Sequence, residues 1–91
     1  MQTFFFHWRR GTEMLRDEEG RELANLSSVI AAALVEARAM IGQDVQEGYI
    51  RLDQSIDVED QNHRVVHRLG FGDAVRILGD GGDRSTHAPL S

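Results

Sequence analysis

An α+β fold is predicted for this chain: an antiparallel sheet of two hairpins with one long helix packed on one face, in the order ββ-α-ββ-short α. Three features predict it. Aromatic alternation opens the chain between Thr3 and Arg9, an apolar run at helical spacing follows from Leu26 to Val45, and alternation returns after Ser55. Each of these amphipathic elements must bury a face, and a sheet with the helix laid across it is the economical solution.

In the first strand the alternation puts Phe4, Phe6 and Trp8 on one side and Phe5, His7 and Arg9 on the other. Gly11-Thr12 reads as a turn and Thr12 to Arg16 as the returning strand. Asp17-Glu18-Glu19-Gly20 then closes the hairpin with acidic turn chemistry and a glycine suited to positive φ. Leu26, Val29, Ile30, Ala33, Leu34, Ala37, Met40, Ile41 and Val45 make one apolar helix stripe. Asn25 is a suitable N-cap and Gly48 a natural stop. Ala31, Ala32, Val35 and Ala39 lie off that stripe, so the rest of the helix surface is mild. This is either alanine serving as a good helix former or a second contact surface.

Tyr49 to Asp53 fits a frayed helix end, a connector or a short strand. Next, Ile56 and Val58 alternate with Asp57 and Glu59, and Asp60-Gln61-Asn62-His63 forms a hairpin loop. Val65, His67, Leu69 and Phe71 share one side of the returning strand, away from Arg64, Val66 and Arg68. Asp73 caps a last short helix, Ala74 to Leu78, with Val75, Ile77 and Leu78 packing back. Residues 1–78 make one small domain, and 79–91, which lack apolar periodicity, make a flexible tail.

Composition narrows the function. At 91 residues with a 41% hydrophobic share, a single thin core supplies only about 3–5 kcal/mol unless something else ties it. The absence of cysteine removes disulfides, thiolate zinc sites, iron–sulfur clusters and cysteine nucleophiles. All ten basic residues are arginine, which removes Schiff-base lysines and the P-loop lysine. A GC-rich genome explains that bias as well as any anion-binding role. A net charge of −5 disfavours non-specific attraction to nucleic acid or an anionic membrane. Thr3 to Trp8 lacks the order of a secretory signal, and no stretch approaches the roughly 20 apolar residues of a membrane span. The expectation is a cytoplasmic protein, in which Asn25-Leu26-Ser27 is a glycosylation sequon without consequence.

Phe4-Phe5-Phe6-His7-Trp8-Arg9, Arg16-Asp17-Glu18-Glu19-Gly20 with Glu22-Leu23, the alanine-rich helix and Phe71-Gly72-Asp73-Ala74-Val75-Arg76-Ile77 together resemble one family. It is a group of small, mostly alphaproteobacterial proteins classed as a domain of unknown function (DUF 6894). The resemblance runs from Thr3 to Leu78 and rests on the order and spacing of the motifs. The chain departs from the family pattern at Phe4, where tyrosine is common, at Trp8, where a smaller apolar residue stands, and at Gly72, where serine precedes the aspartate. The resemblance implies this fold, but no activity, cofactor or catalytic residue.

Candidate chemistry is sparse. His7 and His67 with Asp57 or Glu59 would make a metal set only if their strands were neighbours, and no zinc or di-iron spacing is present. Ser27 or Ser55 with His67 and Asp57 makes a hydrolase triad on paper, without a nucleophile elbow. Gly70-Phe71-Gly72 lacks the third glycine and the βαβ setting of a nucleotide loop, and Gly79-Asp80-Gly81-Gly82-Asp83 lacks the stacked neighbours of a calcium repeat. The sequence therefore points to a non-catalytic interaction or regulatory module, without cofactor or metal, that self-associates as a dimer or binds another protein. Its contact residues are Phe5, His7, Trp8 and Arg9 of the first strand and Val35 and Ala39 of the helix. The alternative covering of Phe5 is the 49–53 segment with the last helix. The runner-up function is single-stranded nucleic-acid binding, with Phe5 and His7 stacking bases and Arg9 and Arg68 on phosphates.

Overall fold

The computed structural model describes residues 1–79, so the tail beyond Gly79, with His87, lies outside the described residues. The aromatic run forms strand β1 (Gln2–Arg10), followed by β2 (Glu13–Leu15) and β3 (Arg21–Leu23). Helix α1 spans Leu26–Gln46, and β4 (Gln54–Glu59) and β5 (Val65–Gly70) form the second hairpin. A 3-10 turn, Phe71–Asp73, follows. The architecture is α+β, with one antiparallel sheet in the order β2-β1-β4-β5 and β3 also paired to β1.

The sheet has five strands where two hairpins predict four. β2 pairs Trp8 with Leu15, whereas β3 pairs Gln2 with Leu23. The sum of paired numbers rises from 23 to 25, so the return strand is one path interrupted by an excursion, residues 16–20, that is two residues longer than the stretch of β1 it spans. Gly20 ends that excursion at φ +74, where a Cβ would meet Thr3 Cγ2 at 2.7 Å and the Phe4 carbonyl at 3.0 Å. Only glycine combines that dihedral with so close an approach.

Asn25 caps α1, its side-chain oxygen accepting the Ser28 backbone N–H at 2.9 Å. Gly48 follows the helix at φ +95, a left-handed stop. Val29, Ala33, Ala37 and Ile41 form the buried ridge and meet Phe4, Phe6, Ile56, Val58 and Phe71. By length and composition alone α1 is apolar enough to cross a membrane, contrary to the sequence reading. The cause is its alanine content and the sparse charge, Glu36 and Arg38, across its first 18 residues. Here the ridge it would turn to lipid is spent on the sheet.

Two further expectations are corrected. A register shift at Val58/Glu59 leaves Val66 as an extra residue in β5. Val66 therefore packs on the core, and Val65, expected inside, is exposed. The short helix over Ala74 to Leu78 does not form. The Ala74 carbonyl instead accepts from Arg38 Nε at 2.8 Å. Phe71 is fully buried in the 3-10 turn and Val75 is half-buried, but Ile77 and Leu78 stay 67% and 78% exposed instead of packing back. The 49–53 segment is a connector that contributes Leu52 to the core margin.

Gly20→Ala should lower stability by at least about 1 kcal/mol, because alanine is strained at this φ and has no space. Urea denaturation checks this. Gly48→Ala, at positive φ but in open space, should cost less.

Candidate functional site

The sheet face opposite α1 carries a polar cluster. Strand parity puts Phe5, His7 and Arg9 there, and register places Phe5 against Glu59 and His7 against Asp57. Asp57 in turn pairs with Arg68. Among the described residues no second layer covers this face, yet His7 is only 2% exposed and Asp57 only 3%. Their cover comes from the 16–20 excursion and from arginine side chains.

Asp17 holds that excursion in place. Its Oδ2 accepts the Phe6 backbone N–H at 3.0 Å, and its Oδ1 accepts those of Glu19 and Gly20 at 3.1 Å each. Burial pushes the Asp17 carboxyl up, but the bonds from Phe6, Gly20 and Glu19, with His7 nearby, outweigh it. The carboxyl ends below the usual carboxylate range. The Asp17 backbone N–H donates to His7 Nδ1 at 3.0 Å. An imidazole nitrogen that accepts carries no proton, so the network assigns the proton of the neutral ring to Nε2.

His7 Nε2 lies 3.2 Å from Glu59 Oε1, a close pair that is not aligned as a hydrogen bond. Arg16 Nη2 and His63 Nδ1 approach the same oxygen at 3.6 and 3.7 Å. A metal at Nε2 would need the proton on Nδ1, which the Asp17 N–H prevents. No group of three ligating side chains able to hold a metal is found among the described residues. Asp57 has Arg68 Nε 3.2 Å from Oδ1, again unaligned, and Arg9 Nε 4.0 Å from Oδ2. Two half-exposed guanidiniums thus lie over one buried carboxylate.

The six residues singled out by sequence do not form one surface. Trp8 belongs to the helix side, where its Nε1 donates to Gln54 Oε1 at 2.8 Å and its ring packs on the core. His7 is enclosed, and Phe5 is half-buried with Gly20 against its ring. That cover comes from the excursion and not from the 49–53 segment. Arg9 is exposed beside Asp57. Val35 and Ala39 stand on the outer side of α1, Val35 at 69% exposure.

His67 pairs with Val58, on the face opposite His7, so neither the His7–His67 set nor the Ser55–His67–Asp57 triad assembles. Ser27 is in the first turn of α1, away from both. His7 is also too enclosed to stack on a base, and Arg68 and Arg9 are turned to Asp57. The acidic turn at Asp17–Gly20 and its positive-φ glycine were legible in the sequence, but the bonds that tie Asp17 to Phe6 and His7, and the approach of Arg16 to Glu59, were not. The signal for the turn was Asp17 standing three residues before a glycine, the spacing of a side-chain-closed turn.

Comparison with known proteins gives one result with content. A family model described as a domain of unknown function (DUF6894) matches residues 3–72. No curated protein and no solved structure matches the chain.

Because the folded-state Asp17 carboxyl is depressed, its contribution is full above the unfolded value of about 3.9 and is lost as pH falls through the folded value. Asp17→Asn should therefore be less stable than wild type at neutral pH. The two stability curves should converge on acidification, as read from urea midpoints between neutral pH and pH of about 2.

Proposed function

We propose that this chain, which belongs to the DUF6894 family, is a small non-catalytic interaction module that self-associates through the outer face of α1. The observation that carries this reading is how little charge that face holds, with Arg38 at its edge donating to the Ala74 carbonyl. Ala31, Val35, Ala39, Gly42 and Gln46 are all exposed, and none is ionisable. The solvent side of an amphipathic helix normally carries charged residues.

The stripe is also self-complementary. Val35 and Ala39 are centred on residue 37, and Ala31 and Gly42 half a residue before it, so an antiparallel pair of helices sets Val35 of one copy near Ala39 of the other. Ala31 then lies near Gly42, small beside small. Small residues let two helices approach at about 8 Å, and a two-fold axis satisfies both copies at once. For a domain with so thin a core, a second copy is the available tie. The protein is read as cytoplasmic.

The alternative, single-stranded nucleic-acid binding through Phe5, Arg9 and Arg68, is supported by the half-buried Phe5 and the exposed arginines on the open face. The enclosure of His7 and the charge balance at Asp57 weaken it.

Light scattering over a dilution series should give a dimer that persists at high salt. Ala39→Glu should be monomeric with an unchanged far-ultraviolet spectrum, since the site is exposed in the single chain. A wild-type monomer at every concentration, or an Ala39→Glu dimer, overturns the proposal. Salt-sensitive oligonucleotide binding lost in an Arg9→Gln/Arg68→Gln variant would favour the alternative.

A further inference from the structure

Four strand positions side by side span about 19 Å, whereas one helix with its side chains is about 10 Å wide. α1 packs most closely over β4 and β5. The helix-side surface of β1 and its return strand is therefore left with a strip that no backbone layer covers. A groove of about 610 Å³ lies along that strip, between the 16–20 excursion and α1. Its apolar surface comes from Phe6, Trp8, Leu15 and Met40. Leu15, set beside Trp8 by register, is 68% exposed.

The volume falls within the range of small-molecule sites, and an aromatic floor with a few polar groups at the rim is their usual make-up. The rim decides the ligand class. Asp17, Glu19 and Glu36 stand against Arg16 and Arg21, in a chain of net charge −5. Arg16 is turned to Glu59 on the other face and the Asp17 carboxylate is taken by three backbone N–H groups, which leaves Glu19 and Glu36 against Arg21. Arg21 reaches from β3 across the groove to Glu36 of α1, and its guanidinium carbon sits 4.3 Å above the Phe6 ring centroid. The chain thus already seats one organic cation on this aromatic floor and carboxylate. Both members of the Arg21–Glu36 pair are well exposed, so exchanging one cation for another there is inexpensive.

We infer that the groove is a binding site for a small amphiphilic cation. Its apolar body lies on Phe6, Trp8, Leu15 and Met40, and its ammonium or guanidinium group lies between Glu36 and Glu19. An ammonium over Phe6 adds a cation–π contact to the ion pair. A carboxylate in the same place would face two glutamates and compete with Glu36 for Arg21.

The test uses the full chain with phenylbutylamine and phenylbutyrate as matched probes. Trp8, the sole tryptophan, reports by fluorescence, and calorimetry gives the stoichiometry. The amine should bind once per chain and shift the Trp8 emission, at least about threefold more tightly than the acid. Glu36→Gln/Glu19→Gln should remove most of that preference while leaving the fold and the acid's binding in place. Equal affinities for amine and acid in wild type overturn the cation assignment. No binding of either, with Trp8 emission unmoved, overturns the site.

Discussion

One helix has to serve a sheet about twice its width. Most features of the core follow from that mismatch. The helix cannot be centred on every strand, so it lies over β4 and β5 and sinks close to them. Close approach in turn needs small residues on the buried ridge. Ala33 and Ala37 sit between Val29 and Ile41, and Ala74 closes the end under the 3-10 turn. The strip left over is covered by long side chains reaching from the sides. Arg21 leans over Phe6 toward Glu36. Trp8 is held flat by its bond to Gln54, whose amide also donates to the Arg51 carbonyl at 2.8 Å. A groove remains where these side chains do not meet.

The other face solves the same shortage by different means. A chain of this size has no second layer to place there, yet Phe5 and the β1–β4 pairing need shelter from water. The return strand supplies it by leaving the ladder between Arg16 and Gly20 and folding over the sheet. Leaving the ladder orphans backbone donors, and a buried orphan donor costs about 1–3 kcal/mol. The Asp17 carboxylate accepts three of them, and His7 accepts the N–H of Asp17 itself. Two side chains therefore do the work of a missing strand segment. The enclosure of Asp57 is a consequence, because flanking arginines lie over it instead of extending into solvent.

The sequence revealed what periodicity encodes. β1 and β4 carry apolar residues at the spacing of their geometry, and their faces came out as the alternation implies. In α1 the buried ridge is Val29, Ala33, Ala37 and Ile41, whereas Leu26, Ile30 and Val45 of the predicted stripe are exposed, because the stripe is wider than the contact one sheet face offers. Elements set by something other than periodicity came out differently. β3 is three residues, Arg21-Glu22-Leu23, with no alternation to read, and its pairing is dictated by the Asp17 staple upstream. The side facing of β5 was reversed at Val65 and Val66 because one bulge residue shifts the parity of a strand. The predicted terminal helix is absent, and its first carbonyl, at Ala74, is tied instead to Arg38 of α1, a tertiary contact that local propensity does not encode. The candidate contact residues were scattered for a related reason. The alternation already set His7 and Trp8 on opposite faces, as the structure has them, so the contact residues drawn from both sides of β1 lie on more than one surface.

α1 borders both unfilled surfaces, which raises the question whether filling one changes the other. Glu36 and Met40 follow Val35 and Ala39 by one residue each, about 100° round the helix. A second helix centred on the outer stripe stands over the side away from the sheet, whereas the groove opens at the flank toward β3. Linkage requires that one event alter contacts the other uses. The antiparallel pairing uses Ala31, Val35, Ala39 and Gly42, and the groove uses Glu36, Met40 and residues of the return strand. With no group in common and a rigid helix between them, neither event has a contact through which to favour the other. Saturating phenylbutylamine should therefore leave the dilution midpoint of the dimer where it was, and Ala39→Gln, which adds bulk to the helix contact but no charge beside Glu36, should bind the amine as wild type does. A midpoint that moves with the amine would place Glu36 or Arg21 within the helix contact and shift the dimer axis toward the groove.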